Sequence, residues 1–483
     1  MPEPAVQAAE GIVSRVVSWV EDRTGLVAKI KPILEHRVPK ESKWAYVFGS
    51  ATLFSFILQV VTGVVLATMY VPSTNSAFQS LTYIETTAAL GHVVRGLHYF
   101  GASAMFVFIG IHMLRVFLYA AYKYPREVNW TSGVFLLICT LAMGFTGQLM
   151  RWDQNAVWSV NIAAKQAARV PFIGGFMQHL IYGGDHLSGL SLTRFFDLHV
   201  FVIPAAMMAL IGLHLYLVVY NGISEPPKAG APVDPKTYKA QYKELVKKEG
   251  VPFWPDSAWR DALFGSLVIA GCITFAFMYG APKLVPTPDP SVIHADPQPD
   301  WYLLWYYAVL ALSPHSLESY IMFLAPLAIF GSLLALPFVF NKGERSARRR
   351  PWAVAWLVIV VVGVLGLTRQ GAIAPWSPRF QSPPLPNSLP ATASSAAFHG
   401  QVLFHDKGCE YCHTVNGLGG LRGPNLSNVA NRLTEQDMVI RILNGGRNMP
   451  AFGGILPPDQ VSSLVAYLQT RKTGPVPDLT QAR

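Results

Sequence analysis

Read for runs of apolar residues, the 483-residue chain falls into long greasy stretches separated by polar loops. A helix needs about 20 apolar residues to cross the hydrocarbon of a bilayer. Seven stretches meet that length, at 44–70, 94–121, 130–150, 197–220, 258–280, 317–340 and 352–369. The stretch 300–312 is apolar and aromatic but short, and it follows a proline-rich run; a short interfacial helix is expected there. Ahead of the first span, residues 9–35 mix Val, Ile, Leu and Trp19 with Lys and Arg at helical spacing. That is the pattern of an amphipathic helix lying on a bilayer surface, not of a secretory leader. After the seventh span the pattern changes. Residues 371–395 are rich in Pro, Ser and Ala and read as a tether, and residues 396–483 are polar enough to form a small separate domain.

The expected fold is therefore all-α, a seven-span transmembrane helical bundle with a small helical domain at its C-terminal end. Its parts are an amphipathic segment (1–43), a four-helix domain (44–222), a three-helix part (223–370), a linker (371–395) and the final domain (396–483). Composition agrees. Hydrophobic residues make up 51% and charged residues 14%, against about 25% charged in soluble domains.

The formal charge of +10 raises the question of nucleic acid, but the positive residues sit between apolar spans, which points to a membrane. Basic residues stay on the cytoplasmic side. Arg15, Arg23, Lys29, Lys31, Arg37, Lys40 and Lys43 precede the first span, Lys123 and Arg126 follow the second, a run from Lys228 to Lys248 follows the fourth, and Lys342 to Arg350 follow the sixth. The loop 71–93 has none, and 281–316 has only Lys283. The loop 151–196, with Arg151, Lys165, Arg169 and Arg194, runs against the alternation. The balance places the N-terminus in the cytoplasm and the C-terminal domain outside.

Histidines inside apolar spans are costly and mark function. His98 and His112 are 14 residues apart in the second span, and His199 and His214 are 15 apart in the fourth. At about 100° per residue, each pair returns to within about 40–60° of one face, with its members about 21–22 Å apart along the axis. Both spans run in the same direction, so His98 falls level with His199 and His112 with His214. Two bis-histidine haems stacked in a four-helix bundle fit that arrangement. Gly49 and Gly63 in the first span, and Gly133 and Gly147 in the third, repeat the 14-residue period and would let a flat macrocycle approach the backbone. Arg95, Arg115 and Arg194 lie near the histidines, placed either to pair with haem propionates or to anchor the interface.

Of four cysteines, Cys139 and Cys272 fall inside apolar spans and read as packing residues. Cys409 and Cys412 belong to Cys409-Glu410-Tyr411-Cys412-His413, the C-x-x-C-H pattern of covalent c-type haem attachment, with His413 as an axial ligand.

Taken together, RGLHYFGAS around His98, FTGQLMRWDQ in the third span, LTRFFDLHVFVIP around His199 and PDWY at 299–302 resemble the cytochrome b family, the membrane core of quinol–cytochrome c oxidoreductases. Seven spans and the 15-residue spacing are similar to its plastid and cyanobacterial branch, where the four-span and three-span parts are separate chains; here they are joined. Met449, in Arg447-Asn448-Met449-Pro450, resembles the distal methionine of c-type haem domains, whose thioether raises the potential. The resemblance implies a bacterial inner-membrane protein with quinol oxidised at an outer site and quinone reduced at an inner one. It also implies a Rieske iron–sulfur partner, further subunits, a cytochrome c or other electron acceptor, and a homodimeric complex.

Three positions depart from the family. Its Pro-Glu-Trp-Tyr is here Pro299-Asp300-Trp301-Tyr302, its proline before Trp-Asp-Gln is Arg151, and Val47 stands where the plastid branch has a cysteine, so no extra thioether-bound haem is expected. Asp300 keeps a carboxylate, and a carboxylate beside aromatics in a poorly solvated site suits general-base work on quinol; the alternative is a helix cap. Tyr302 either hydrogen-bonds the quinone ring or belongs to an aromatic interfacial belt. The expected function is quinol–cytochrome c oxidoreduction with proton translocation. A haem-bearing membrane anchor for another quinone-linked dehydrogenase or reductase is the competing reading.

Overall fold

A computed structural model describes residues 4–288, 298–377, 384–386, 389–446 and 449–472. Among the described residues, seven helices are long and apolar enough to cross a membrane: Phe48–Ala67, Gly91–Leu118, Glu127–Leu149, Gly189–Asn221, Phe253–Tyr279, Ser316–Val339 and Pro351–Ile373. They are the seven that the apolar runs predict, and Trp301–Leu312 is the expected shorter apolar helix. The fourth begins well before the predicted 197. Ser188 and Ser191 form a reciprocal cap at its start, so the helix projects past its apolar part, through polar Thr193, Arg194 and Asp197. In the N-terminal segment, helices Pro4–Thr24 and Leu26–Leu34 carry exposed Val16, Trp19, Ile30 and Ile33.

The chain forms two compact units. The first holds residues 1–156, 160–285 and 314–364. In it the first span packs on the second and the third on the fourth, while the fifth lies against the first two and the sixth against the third. Phe56, Met105, Ile109 and Met207, one or two from each of three spans, form a buried layer joined by Leu137, Cys139 and Met143 of the third. That layer sits between the two histidine levels, so side chains fill the bundle midway. Cys272 is also buried. A two-stranded antiparallel ribbon, Arg37–Pro39 with Gly250–Pro252, ties the approach to the first span to the approach to the fifth.

The second unit holds residues 157–159, 286–313 and 365–483. Its C-terminal part has a core of Leu403, Phe404, Val415, Val429, Met438, Ile442, Phe452, Val461, Leu464 and Tyr467, among others. Helices Ser395–Asp406, Glu435–Asn444 and Pro458–Gln469 enclose it. Parts of the segment 371–395, expected to be a tether, are held by other residues. The seventh helix runs to Ile373, Leu385 and Leu389 pack against the C-terminal core, and Gln401 Nε2 donates to the carbonyls of Leu385 and Pro386 at 3.3 Å each. A composition argument misses this because two leucines among prolines and serines are enough to hold a strap once a core exists to receive them. Residues 378–383, 387–388 and 473–483, and Arg447-Asn448 of the methionine motif, lie outside the described residues.

Candidate haem and quinol sites

His98, His112, His199 and His214 are each seated against a glycine on the adjoining span. A Cβ added at Gly63 would come within 3.3 Å of the His98 ring, at Gly49 within 3.1 Å of His112, at Gly147 within 2.7 Å of His199 and at Gly133 within 3.6 Å of His214. The early glycine of one span meets the late histidine of the next, so the first and second spans are antiparallel, as are the third and fourth. The glycines' immediate neighbours are thus imidazoles, the side chains expected to hold a macrocycle.

Hydroxyls complete three of the seats, contacts that motif reading passed over. Thr62 Oγ1 lies 2.9 Å from His98 Nδ1, Ser132 Oγ 2.9 Å from His214 Nδ1 and Thr146 Oγ1 3.0 Å from His199 Nδ1. Each hydroxyl already donates its only hydrogen to its own helix, Thr62 to Leu58 O, Ser132 to Asn129 O and Thr146 to Ala142 O. A hydroxyl carries one proton and two lone pairs, so in each contact the imidazole donates through Nδ1–H. That fixes the tautomer and leaves Nε2 with the free lone pair a metal needs. The signal was present in the sequence as a hydroxyl-glycine dipeptide, Thr62-Gly63, Ser132-Gly133 and Thr146-Gly147; Gly49 follows Phe48 instead.

The His98 and His199 rings face one another with centroids 6.2 Å apart and planes at 69°. Two metal–imidazole bonds of about 2 Å, plus the half-width of a ring on either side, make a gap of this size. The donor set, its spacing and its tautomers therefore suit a bis-histidine haem.

The three arginines are held in different ways. Arg95, buried, pairs with Glu85 at 2.6 Å and donates to Pro282 O at 2.7 Å. Arg115 lies over the Tyr46 ring, 3.7 Å from its centre, and donates to Ala45 O. Arg194 lies beside Gly183, where a Cβ would meet its Cδ at 3.0 Å. Arg151, the residue that departs from the family's proline, faces Asp153 at 3.8 Å; buried Asp153 also caps the next helix by accepting from Ala156 N–H at 2.8 Å. The added charge thus comes with a counter-charge two residues on. A further carboxylate that motif reading passed over, Asp261 of the fifth span, lies near Ser50, the neighbour of Gly49.

In the second unit, Tyr302 donates from its hydroxyl to Asp300 Oδ2 at 3.2 Å. The Asp300 side chain does not cap the following turn; its backbone carbonyl accepts from Leu303 N–H instead. The two residues stand at the head of the short apolar helix Trp301–Leu312.

Around the C-x-x-C-H motif, Gly408 takes a left-handed conformation (φ 70°) that turns the chain into the helical turn Cys409–Cys412. His413 Nδ1 donates to Pro424 O at 2.8 Å; a carbonyl can only accept, so Nε2 is again the free nitrogen. A Cβ at Gly423 would meet the His413 ring at 2.6 Å. Burial lowers the His413 pKa and so favours the neutral imidazole that a ligand requires, and it pushes the Cys409 thiol up to about 12. Met449 packs at the edge of the core that also takes in Cys409, and its carbonyl accepts from Gly446 N–H at 3.0 Å. Glu410, fully buried between the cysteines, pairs with His405. The loop carrying Arg422 reaches back to the membrane-side segment: Arg422 donates to Trp376 O at 2.9 Å, and the Trp376 ring meets Tyr307 of the short apolar helix edge-on.

Fold and sites together define a multi-pass helical membrane protein of electron transport. Comparison narrows this. Residues 33–222 match the family described as cytochrome b/b6/petB, residues 287–381 that described as cytochrome b(C-terminal)/b6/petD, and residues 396–468 that described as cytochrome C oxidase, cbb3-type, subunit III. The menaquinol:cytochrome c reductase cytochrome b subunit of Bacillus subtilis (strain 168) is 36% identical over 223 residues, 44% of this chain and 100% of that one. Cytochrome b of Cereibacter sphaeroides is 29% identical over 379 residues, 74% of this chain and 83% of that one. A solved chain of a hyperthermophilic respiratory Complex III superposes with a TM-score of 0.64 at 29% identity, over 74% of this chain and 91% of its own. The chain belongs to the cytochrome b family and carries a cytochrome c domain at its C-terminal end.

Proposed function

We propose that this chain is the membrane subunit of a quinol–cytochrome c oxidoreductase, working with a Rieske iron–sulfur partner in a dimeric complex of the bacterial inner membrane and translocating protons. Support comes from a curated relative at 36% identity that is named a menaquinol:cytochrome c reductase subunit, and from basic residues gathered on alternate loops. By that alternation the N-terminus is cytoplasmic and the C-terminal domain lies outside.

His98 and His199 would hold one b-type haem, and His112 and His214 the other, with Nε2 the free nitrogen of His98, His199 and His214. Cys409 and Cys412 would attach a c-type haem, with His413 and Met449 the residues that would bind its iron. Once bound, these groups supply one-electron carriers. Arg115 and Arg194 are the first choices for propionate partners, ahead of Arg95, whose guanidinium Glu85 already holds.

The observation that carries the quinol-oxidising role is the Asp300–Tyr302 pair at the head of an apolar helix. Asp300 accepts a proton from quinol there, and Tyr302, hydrogen-bonded to the carboxylate, orients the ring. Within the bundle Asp261, a carboxylate inside a span near Ser50, the neighbour of Gly49, would deliver protons to a quinone being reduced. The test is Asp300→Asn in the purified complex. Quinol-driven cytochrome c reduction should fall by roughly 10²–10⁴-fold while the b and c absorption bands keep their heights. A rate within a factor of two of the parent's would remove Asp300 from the chemistry, and purification without a Rieske protein would remove that partner.

A further inference from the structure

The fourth span carries one residue more than its neighbours need. His98 and His112 are 14 apart, as are Gly49 and Gly63, and Gly133 and Gly147, but His199 and His214 are 15 apart. In a regular α-helix, 14 residues stop about 40° short of whole turns and 15 overshoot by about 60°. With His199 in its seat, an unbroken helix would therefore carry His214 about 100° away from the line the other pairs follow. The structure has no such offset. His199 rests against Gly147 and His214 against Gly133, and the hydroxyls that receive their Nδ1–H groups, Thr146 and Ser132, are likewise 14 apart. One residue between the two histidines has been absorbed.

The absorbing element is the turn Leu198–Val202. It is π-helical, and Ile203 N–H bonds to Leu198 O, five residues back instead of four. A π-turn acts as a single residue inserted into an α-helix. Pro204 gives the turn a local cause, since proline offers no N–H and its ring crowds the carbonyl four residues earlier. Val202 is 56% exposed, so no core contact calls for the extra residue. The second span, by contrast, is one continuous α-helix from Gly91 to Leu118.

We propose that the π-turn Leu198–Val202, set beside Pro204, is a positioning device that brings His199 and His214 into register with Gly147 and Gly133, so that a fifteen-residue spacing acts as fourteen. The inference rests on the bis-histidine reading above. Its test is deletion of Val202 from the full chain, compared with deletion of Val107, an outward residue of the second span (43% exposed). Each deletion shortens one histidine spacing by a residue, but only the fourth span has a turn to give up. Deletion of Val202 should leave two b haems per c haem in reduced-minus-oxidised spectra of membranes, with band positions unchanged; deletion of Val107 should leave one or none. Because the first deletion moves Pro204 closer to His199, the same deletion is also made with Pro204→Ala. Loss of a b haem, or of the chain from the membrane, in both Val202 deletions overturns the proposal, as does retention of both b haems without Val107. His214→Ala separates the two readings. If it keeps two b haems, the ligand assignment fails; if it loses one while both Val202 deletions also lose one, the register device alone fails.

Discussion

In the membrane bundle, the residues that seat a histidine come from another helix. Gly63 and Thr62 serve His98, Gly49 serves His112, Gly147 and Thr146 serve His199, and Gly133 and Ser132 serve His214. In the C-terminal domain everything that positions His413 lies close by in sequence: the motif 409–413, Gly423 against its ring and Pro424 O on its Nδ1. His98, His199 and His214 in the one region and His413 in the other reach the same end, an imidazole with Nε2 free, by opposite routes. The bundle must bring four helices together before a seat exists, and nothing covalent retains what it holds. The small domain needs a single loop, and in the proposed function its thiols would secure the cofactor whether or not His413 is well placed.

The sharpest way to break this contrast is to remove one imidazole from each region. His199→Ala should abolish one b haem outright, taking the b-to-c ratio from two to one and quinol-driven turnover to background. His413→Ala should leave the c haem attached on a denaturing gel stained for haem while its low-spin spectrum is lost. If the b ratio is unchanged in the first variant, or the stain disappears in the second, the two regions do not differ as described.

Next comes a graded probe of the glycine seats. An added Cβ meets the histidine ring at 2.7 Å from Gly147 but at 3.6 Å from Gly133. Below 3 Å the ring has to move, and Thr146 holds it in place; 3.6 Å is ordinary contact. Gly147→Ala should therefore lose most of one b haem, and Gly133→Ala little of the other. In the small domain Gly423→Ala, at 2.6 Å, should disturb the ligand-field bands without releasing haem. Equal losses from the two membrane variants would mean that the glycines serve helix packing and not the imidazoles. The smallest effect expected is that of Thr146→Val, which removes the acceptor for His199 Nδ1–H; loss of such an orienting partner lowers metal-site affinity by about 10–100-fold, to be read as haem released during detergent washing.

How much of this could be read from sequence depended on how local each cause is. Apolar length alone defines a span, so all seven are legible, whereas the early start of the fourth helix depends on the Ser188 and Ser191 cap. The C-x-x-C-H motif is five consecutive residues and can be read at once. Thr62, Ser132 and Thr146 were overlooked because a hydroxyl in a membrane helix ordinarily bonds its own backbone, as these also do; only the neighbouring span shows their second partner. The same holds for Asp261, whose link to Ser50 joins residues more than 200 positions apart. Arg95 looked like a cation awaiting an anion because Glu85 lies ten residues away, across the turn into the second span. Leu385 and Leu389 needed a core to dock on before they could be told from spacer.

The four glycine–imidazole contacts also have a mechanical side. Each antiparallel helix pair touches backbone to ring at two heights, separated by about 21 Å of helix rise, like a shelf resting on two brackets. Sliding one rod along the other, or tilting it, would have to lift an imidazole off its bare stretch of backbone at one height or the other. The seats therefore set the distance and the pitch between the rods, and a side chain that reaches the ring, as at Gly147, would misalign the level it occupies.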